Sequence, residues 1–446
     1  MNILCKGLSK LATFNSLCND ISAGRIPVTV TGLAHIHKTH FISAICKTLN
    51  RRAVMLVADE SEAARICEDA AAFGLHPLLL PARDLSLRSM ESASREYEQQ
   101  RLGVLAKMAA GDYDIVVSVI DAAVQFTLPP NTLTERTLKL KSGLPLEVSD
   151  LAAALIKAGY ERCEQVEGAG QFAKRGGIYD VFPADCPAPV RLELWGDIVD
   201  TLNYYDILSQ RRTTPLEEVY ISPAAEVMPD DAYALALRIE ELASNLKGKN
   251  AAAAREHLLA DAARLKGGGR PAFFDKYIPL IYDRPATLFD YAQQSGALIF
   301  VSEMSGVRER LRTALWQHNE DVKLLLSEGE LCRGLTEFML DPVGVQAKLE
   351  KHGCVIFDTF AHTSQEIKVY SLYNVNAVQL PVWSGSLDLI VEDLNFLLER
   401  GIACIVLAGE ESKNAEALAS DLVKRNIPGL YAPSPESPVK NHVLII

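Results

Sequence analysis

The 446-residue sequence lacks the features that mark several classes of protein. No apolar run approaches the roughly 18 residues that a membrane-spanning helix needs, and the first six residues have no sustained apolar stretch of the secretory type. The nine cysteines contain no C-x-x-C pair and no metal-finger spacing, as is usual in a reducing cytosol. The sequence therefore predicts a cytoplasmic, soluble protein with free thiols and no membrane partner.

The sequence also has fewer positively charged than negatively charged residues. Lys and Arg number 45 against 57 Asp and Glu, which gives a formal net charge of -12. A chain of this charge repels a phosphate backbone, so we do not expect indiscriminate binding to nucleic acid. The apolar fraction of 48% is typical of globular proteins, and the length predicts about three or four domains.

The periodicity of apolar residues divides the chain into four parts. Short β-branched runs alternate with helical periods over 1–136, which favours a parallel α/β lobe. After Pro129-Pro130 this alternation gives way to a single helix followed by strands and turns. We interpret 137–223 as an inserted α+β domain and 224–344 as the return to the first lobe through a helical linker. Residues 345–446, which begin with the strand Cys354–Asp358, are predicted to form a small third α/β domain. The apolar end at 443–446 suggests a truncated chain.

A loop with the frame of a phosphate-binding P-loop follows the first strand. The frame is G-x-x-x-x-G-K-[ST], and the run at 32–39 reads GLAHIHKT. His37 replaces the second glycine, and its side chain should block positive φ and the close approach of backbone to phosphate. After the strand at 297–301, Ser302 replaces the magnesium carboxylate. The degenerate nucleotide site comprises Gly32, His37, Lys38, Thr39, Ser302 and Glu303.

The P-loop frame and the alternation of strands and helices together give the predicted fold class, and the altered residues of the frame give the predicted chemistry. The class is α/β: a degenerate P-loop lobe of RecA-like type, the inserted domain and the small third domain. No catalytic residue is predicted, because no nucleophile is paired with a base. His35, His37 and His40 lie on a tight turn without a nearby cysteine or carboxylate, which disfavours a metal site. Weak nucleotide or anion binding at the helix N-terminus is the alternative left open.

A strand of the inserted domain carries a second candidate site. The run at 190–195 alternates at period two, with Gly196-Asp197 as a turn into the next strand. Arg191 and Trp195 therefore share the polar face, and these residue types are enriched at interface hot spots. The alternative is that Trp195 packs under a loop and Arg191 is a solvated charge.

Two dense motifs in this region resemble a known family. The runs GQFAKRGGIYDVFP at 170–183 and PVRLELWGD at 189–197, with Tyr205-Asp206 and Ser209-Gln210-Arg211 after them, are similar to the UvrB-homology region of bacterial transcription-repair coupling factors. The resemblance implies the N-terminal fragment of such a factor: a UvrB-like lobe in two pieces, an inserted UvrA-binding domain and a small third domain. Arg175, Arg191 and Trp195 are the implied contacts to UvrA.

The resemblance also implies what this chain does not do alone. RNA polymerase and duplex DNA would be bound by other domains, and ATP with magnesium would serve motor domains outside the chain, so the fragment is expected to be a monomer without cofactor. Between Pro81 and Asp114 the only aromatics before Asp114 are Tyr97 and Tyr113, which leaves no room for the damage-clamping hairpin of UvrB. The alternatives are a nucleotide-binding switch in which Lys38 and Thr39 still hold ATP, and a UvrB-like DNA repair subunit.

Overall fold

The protein is described by a computed structural model that covers residues 3–83, 96–146, 150–248, 250–271, 273–360, 367–378, 383, 385–408, 412–433, 435 and 439–446. The first part of the chain alternates buried strands with helices, as predicted. Its elements are α1 (Ile3–Lys6), α2 (Ala12–Ser22), β1 (Val28–Thr31), α3 (Ile36–Leu49), β2 (Ala53–Val57), α4 (Glu60–Ala72), β3 (Pro77–Leu80), α5 (Glu96–Ala110), β4 (Ile115–Val119), α6 (Ile120–Ala123) and α7 (Pro130–Arg136).

The next part forms one six-stranded sheet, in the order β11-β10-β9-β8-β7-β6, and a two-stranded sheet of β5 and β12. Its elements are β5 (Leu138–Lys141), α8 (Leu151–Lys157), β6 (Glu161–Arg162), β7 (Gln171–Arg175), β8 (Ile178–Val181), β9 (Val190–Trp195), β10 (Ile198–Tyr205), β11 (Arg212–Pro215) and β12 (Glu218–Ile221). The predicted hairpin is confirmed, because β9 and β10 pair antiparallel with Trp195 opposite Ile198. Asp150 caps α8 through its side chain, which fixes the start of this helix, and Leu151 and Leu155 of α8 join the core of this region.

The chain then returns to the first lobe and completes its sheet. The elements are α9 (Ala232–Asn245), α10 (Ala251–Lys266), α11 (Ile278–Ile281), α12 (Leu288–Ser295), β13 (Leu298–Ser302), α13 (Met304–Glu328), α14 (Pro342–His352), β14 (Cys354–Asp358) and β15 (Ser371–Asn374). Seven parallel strands lie in the order β15-β1-β14-β13-β2-β4-β3. The α/β fold class with a large parallel sheet is confirmed. No helix in the described ranges is long and apolar enough to cross a membrane.

The four strands β14, β13, β2 and β4 of the seven-stranded sheet are buried on both faces, which explains why they are nearly continuous apolar runs. Successive side chains point to opposite faces. In β14, Cys354 and Ile356 join the core that contains α5, α9 and α12, while Val355 and Phe357 join the core that contains α2, α3 and α4. Because β1, β14 and β13 are parallel neighbours, their carboxyl ends meet at one edge of the sheet, where the candidate nucleotide site lies.

The prediction that the strand Cys354–Asp358 begins a separate third domain is wrong. β14 pairs with β1, with Val28 opposite Val355, and with β13, with Phe300 opposite Val355. β15 adds a further strand beyond β1. A strand buried on both faces has the same apolar sequence in any parallel sheet, so the sequence did not identify its neighbours.

The last part has its own three-stranded parallel sheet, in the order β16-β18-β17. Its elements are α15 (Leu387–Glu399), β16 (Cys404–Val406), α16 (Ser412–Lys424), β17 (Gly429–Tyr431) and β18 (Val443–Ile445). The apolar run at 443–446, which suggested truncation, contains the central strand of this sheet, with Val443 and Ile445 fully buried. Its hydrophobicity is therefore explained by the fold.

A buried contact joins the six-stranded sheet region to the first lobe. Arg101 of α5 donates through Nε to Glu226 Oε1 at 2.8 Å, and both side chains are inaccessible to solvent. Burial alone would raise the pKa of Glu226, but Arg101 and Arg83 outweigh burial and lower it. Gly103 lies against the backbone of Ala184, whose carbonyl oxygen would be 2.6 Å from an added Cβ. The small glycine is needed for this close packing.

Candidate functional site

The P-loop frame lies between β1 and α3, as predicted, but its backbone differs from the expected one. His37 has helical backbone within α3, and the positive φ falls on His35, with φ 46° and ψ -122°. The amide of His37 donates to the carbonyl of Ala34 at 3.1 Å, and the amide of Lys38 donates to that of His35 at 3.0 Å. Amides that would cradle a phosphate are thus bonded within the loop itself.

Lys38 is bonded to the last residue of β13 and to the residue that follows it. The side chain of Lys38 is 4% exposed, and its ammonium group donates to Ser302 Oγ at 2.9 Å and to Glu303 Oε1 at 2.6 Å. Glu303 also accepts from the amide of Thr359 at 2.9 Å. The carboxylate of Glu303 therefore neutralises the lysine that would meet the phosphates in a working P-loop.

The remaining groups of this site include several carboxylates and a buried hydroxyl. Ser302 Oγ donates to Glu62 Oε1 at 2.6 Å, so the hydroxyl is occupied by a carboxylate. Thr39 is fully buried, and its Oγ1 has no hydrogen-bond partner among the described residues. The cavity beside Lys38 has a volume of about 260 Å³ and is lined by Ala34, His35, Lys38, Asp59, Glu62, Arg65, Ile66, Asp69, Glu303 and Thr359. Four carboxylates among these residues disfavour a triphosphate.

Gly32 has a packing role that does not involve phosphate. The segment after β15 crosses the loop, and a Cβ on Gly32 would lie 2.0 Å from the carbonyl oxygen of Val375. Gly32 also has φ +83°, which a residue with a Cβ adopts only with strain. Packing against Val375 therefore accounts for the first glycine of the frame.

The three histidines of the loop have separate environments. His35 is exposed, whereas His40 is bonded through Nε2 to the carbonyl of Leu4 at 2.6 Å and stacks on Phe73 with ring centroids 4.9 Å apart. Burial lowers the pKa of His40 and of His37. In the described part of the chain, no group of three or more His, Cys, Asp or Glu side chains could hold a metal ion.

The second candidate site is the solvent face of the six-stranded sheet. Val190 and Leu192 are fully buried in its core, while Trp195 is 78% exposed at the hairpin end. The register places Asp180 beside Arg191 and Ile178 beside Glu193, so β8 and β9 present these side chains on one face. The expected sharing of a face by Arg191 and Trp195 agrees with this register.

One carboxylate joins the two arginines of the site. Asp180 is 1% exposed and accepts from Arg175 Nη2 at 2.8 Å, from Arg191 Nε at 2.6 Å and from Arg191 Nη2 at 2.8 Å. Arg191 also donates to the carbonyl and side-chain oxygens of Gln210 at 3.0 and 2.9 Å. Its guanidinium lies 4.3 Å from the centroid of the Tyr205 ring. The hydrogen bond to Asp180 raises the pKa of Arg191 despite partial burial.

The three predicted residues therefore differ in accessibility. The side chain of Arg175 is 54% exposed, whereas that of Arg191 is 14% exposed and uses its donors within the sheet. Sequence reasoning missed Asp180 and Gln210. A signal existed for Asp180, because it is the one charged residue in the otherwise apolar and aromatic sequence of β8, Ile178–Val181.

The structure describes only part of the segment from Pro81 to Asp114, in which the sequence predicted no damage-clamping hairpin. Residues 84–95 lie outside the described residues. From Glu96 to Ala110 the chain forms α5, with Tyr97 exposed and Tyr113 buried after the helix.

Comparisons with known proteins agree with the resemblance noted in the sequence. A family model described as "UvrB interaction domain" matches residues 138–227. The transcription-repair-coupling factor of Bacillus subtilis is 25% identical over 444 residues, which cover 97% of this chain and 37% of that protein. The one from Staphylococcus aureus is 22% identical over 417 residues, which cover 91% of this chain and 35% of that protein.

These matches confirm the resemblance, and the chain spans about a third of the length of these relatives. A solved structure, Xpd4 of S. tokodaii, matches with a TM-score of 0.25 and 10% identity, covering 97% of this chain and 79% of that chain. A likeness of that size carries no argument about the fold.

Proposed function

Since this chain resembles transcription-repair-coupling factors over nearly all of its length, we propose that it is their amino-terminal module and binds UvrA. In this role it recruits nucleotide excision repair to a stalled RNA polymerase. The observation that carries the proposal is the exposed face of Arg175 and Trp195, which lies within the region similar to the UvrB interaction domain.

The chemistry of this face suits a protein partner. Trp195 offers a large apolar area at low cost in conformational entropy, and the side chain of Arg175 is 54% exposed, so that it can pair with a carboxylate of the partner. A single hydrogen bond to Asp180 Oδ2 holds Arg175 in place. Such restraint reduces the entropy lost on binding.

The fragment has no enzymatic role in this proposal. The Lys38–Glu303 ion pair and the loop's internal hydrogen bonds support a site that neither hydrolyses ATP nor requires a cofactor. RNA polymerase, duplex DNA, and ATP with magnesium would be bound by other domains of the full-length protein. We expect the fragment to act as a monomer in the cytoplasm.

Calorimetric titration with purified UvrA from the same organism tests the proposal. Arg175→Ala and Trp195→Ala should each weaken binding by roughly tenfold or more, as expected for hot-spot residues. Matched controls on α13 are Arg312→Ala and Trp316→Ala, whose side chains are 63% exposed and should not affect binding. Absence of binding by the folded wild-type chain would refute the proposal.

Two further titrations address the alternatives. Tight, magnesium-dependent binding of ATP by the wild-type chain, lost in Lys38→Ala, would favour the nucleotide switch. Affinity for duplex DNA that falls steeply with salt would favour the DNA repair subunit.

A further inference from the structure

The loop between β10 and β11 carries an unusual leucine. Leu208 is 94% exposed, more than any other large apolar side chain in the described ranges. A single exposed leucine on a mobile loop would need no explanation. The loop at 206–211, however, is held by a dense set of hydrogen bonds.

Hydrogen bonds within the loop close it into a fixed turn. The amide of Asp206 donates to the carbonyl of Arg211 at 2.9 Å, and the amide of Gln210 donates to the carbonyl of Asp206 at 2.8 Å. The amide of Ser209 donates to Asp206 Oδ1 at 2.7 Å. Leu208 therefore lies at the tip of a turn whose backbone is bonded on both sides.

Arg191 fastens this turn to the solvent face of the sheet. It donates to both oxygens of Gln210, while Gln210 Nε2 donates to the carbonyl of Ile207 at 2.8 Å. Arg191 is itself fixed by Asp180. The chain from Asp180 through Arg191 to Gln210 thus sets the position of the residues on either side of Leu208.

The turn and Trp195 lie at opposite ends of one face. Arg191 and Trp195 are four residues apart on β9, which corresponds to about 13 Å along a strand. Arg175, which shares Asp180 with Arg191, and Ile178 lie on the same face. A standard protein interface covers about 800 Å² on each partner, which is enough to include both ends.

We propose that Leu208 is an apolar contact for the partner that binds this face, and that Gln210 and Arg191 are positioning residues which present it. The inference rests on the proposed function and deepens it, since it extends the UvrA surface beyond Arg175 and Trp195. The matching partner surface would have an apolar recess beside acidic groups, because exposed Arg211 flanks the turn.

Calorimetric titration of UvrA with single variants of the whole chain tests this inference. Leu208→Ser should weaken binding about tenfold, because it removes apolar area that becomes buried in the complex. Leu208→Met keeps that area and should bind within about twofold of wild type. Leu389→Ser is the matched control, since Leu389 is 47% exposed on α15, away from this sheet.

A double-mutant cycle tests the positioning role. Asn tolerates the positive φ of Gln210, 57°, but its side chain is too short to accept the side-chain hydrogen bond from Arg191 Nη2, while the bond from Arg191 Nη1 to the backbone carbonyl is kept. Gln210→Asn should weaken binding of the wild-type chain and have little further effect in the Leu208→Ser background. Additive effects would overturn the positioning role.

The outcomes separate this inference from the proposed function. If wild type binds UvrA and Leu208→Ser binds equally well, the inference is wrong and the proposed function stands. If the folded wild-type chain does not bind, the proposed function fails and the inference fails with it.

Discussion

Lys38 Nζ and Glu303 Oε1 lie 2.6 Å apart at the carboxyl edge of the large sheet, so a carboxylate of the chain occupies the lysine of the P-loop frame. Glu303 reaches this position with a left-handed backbone, φ 51°, directly after β13. Its second set of bonds, to Thr359, connects β13 to the residue after β14. The degenerate site thus contributes to the stability of the sheet edge.

The Lys38–Glu303 pair should contribute measurably to stability. Glu303→Ala leaves the buried ammonium of Lys38 without its counter-charge, and breaking a fully buried pair costs about 3–5 kcal/mol. Because Glu303 is 33% exposed, we expect a loss of about 1–3 kcal/mol in the free energy of unfolding. Urea denaturation measures it, with Glu309→Ala on α13 as control, since Glu309 is 75% exposed. Equal losses in both variants would contradict the prediction.

The same pair should make stability depend on pH. Burial raises the pKa of Glu303, but the hydrogen bonds from Lys38 and Thr359 outweigh burial, so the folded pKa lies below its ordinary value. A lowered folded pKa gives a stabilisation that is complete above the unfolded pKa of about 4.3 and is lost as pH falls through the folded pKa.

Wild type should therefore exceed Glu303→Gln in unfolding free energy most clearly above about pH 5, and the difference should shrink as the pH falls below about 4. Urea denaturation of both proteins across this range measures the difference. A difference that stays constant from neutral to acid pH would show that ionisation of Glu303 does not stabilise the fold.

Gly32 provides a test of packing at the loop. Gly32→Ala places a Cβ 2.0 Å from the carbonyl oxygen of Val375 and also imposes the strain of φ +83°. Gly24→Ala is the matched control, because Gly24 has φ +70° but nothing within 4 Å of an added Cβ. The control should lose about 1 kcal/mol from backbone strain, and Gly32→Ala should lose at least about 2 kcal/mol more. Similar losses would show that the segment after β15 yields easily.

Sequence reasoning succeeded where local pattern determines structure. The period-two alternation of the run at 190–195 predicted the hairpin and its two faces. The frame around Lys38 predicted the loop between β1 and α3. These features depend on neighbours within a few residues. Period and spacing are therefore sufficient for them.

Contacts between distant segments were not predictable in the same way. The placement of β14 beside β1, the crossing of Val375 over Gly32 and the bonds of Arg191 to Gln210 all join residues that are separated by intervening chain. These contacts depend on which strands are neighbours and on the register in which they pair, and one sequence does not specify either. The accessibility of Arg191 could not be inferred for this reason.

Asp180 should be the most sensitive single residue of the inserted region. Asp180→Asn keeps the shape of the side chain but removes the charge that balances Arg191, whose side chain is 14% exposed. We expect a loss of about 3 kcal/mol in unfolding free energy, because breaking a buried pair leaves a guanidinium uncompensated. Asp197→Asn, in the exposed turn between β9 and β10, is the control and should change stability by less than about 0.5 kcal/mol. Thermal and urea denaturation measure both variants, and an Asp180→Asn protein as stable as wild type would show that the Gln210 and Tyr205 contacts suffice to hold Arg191.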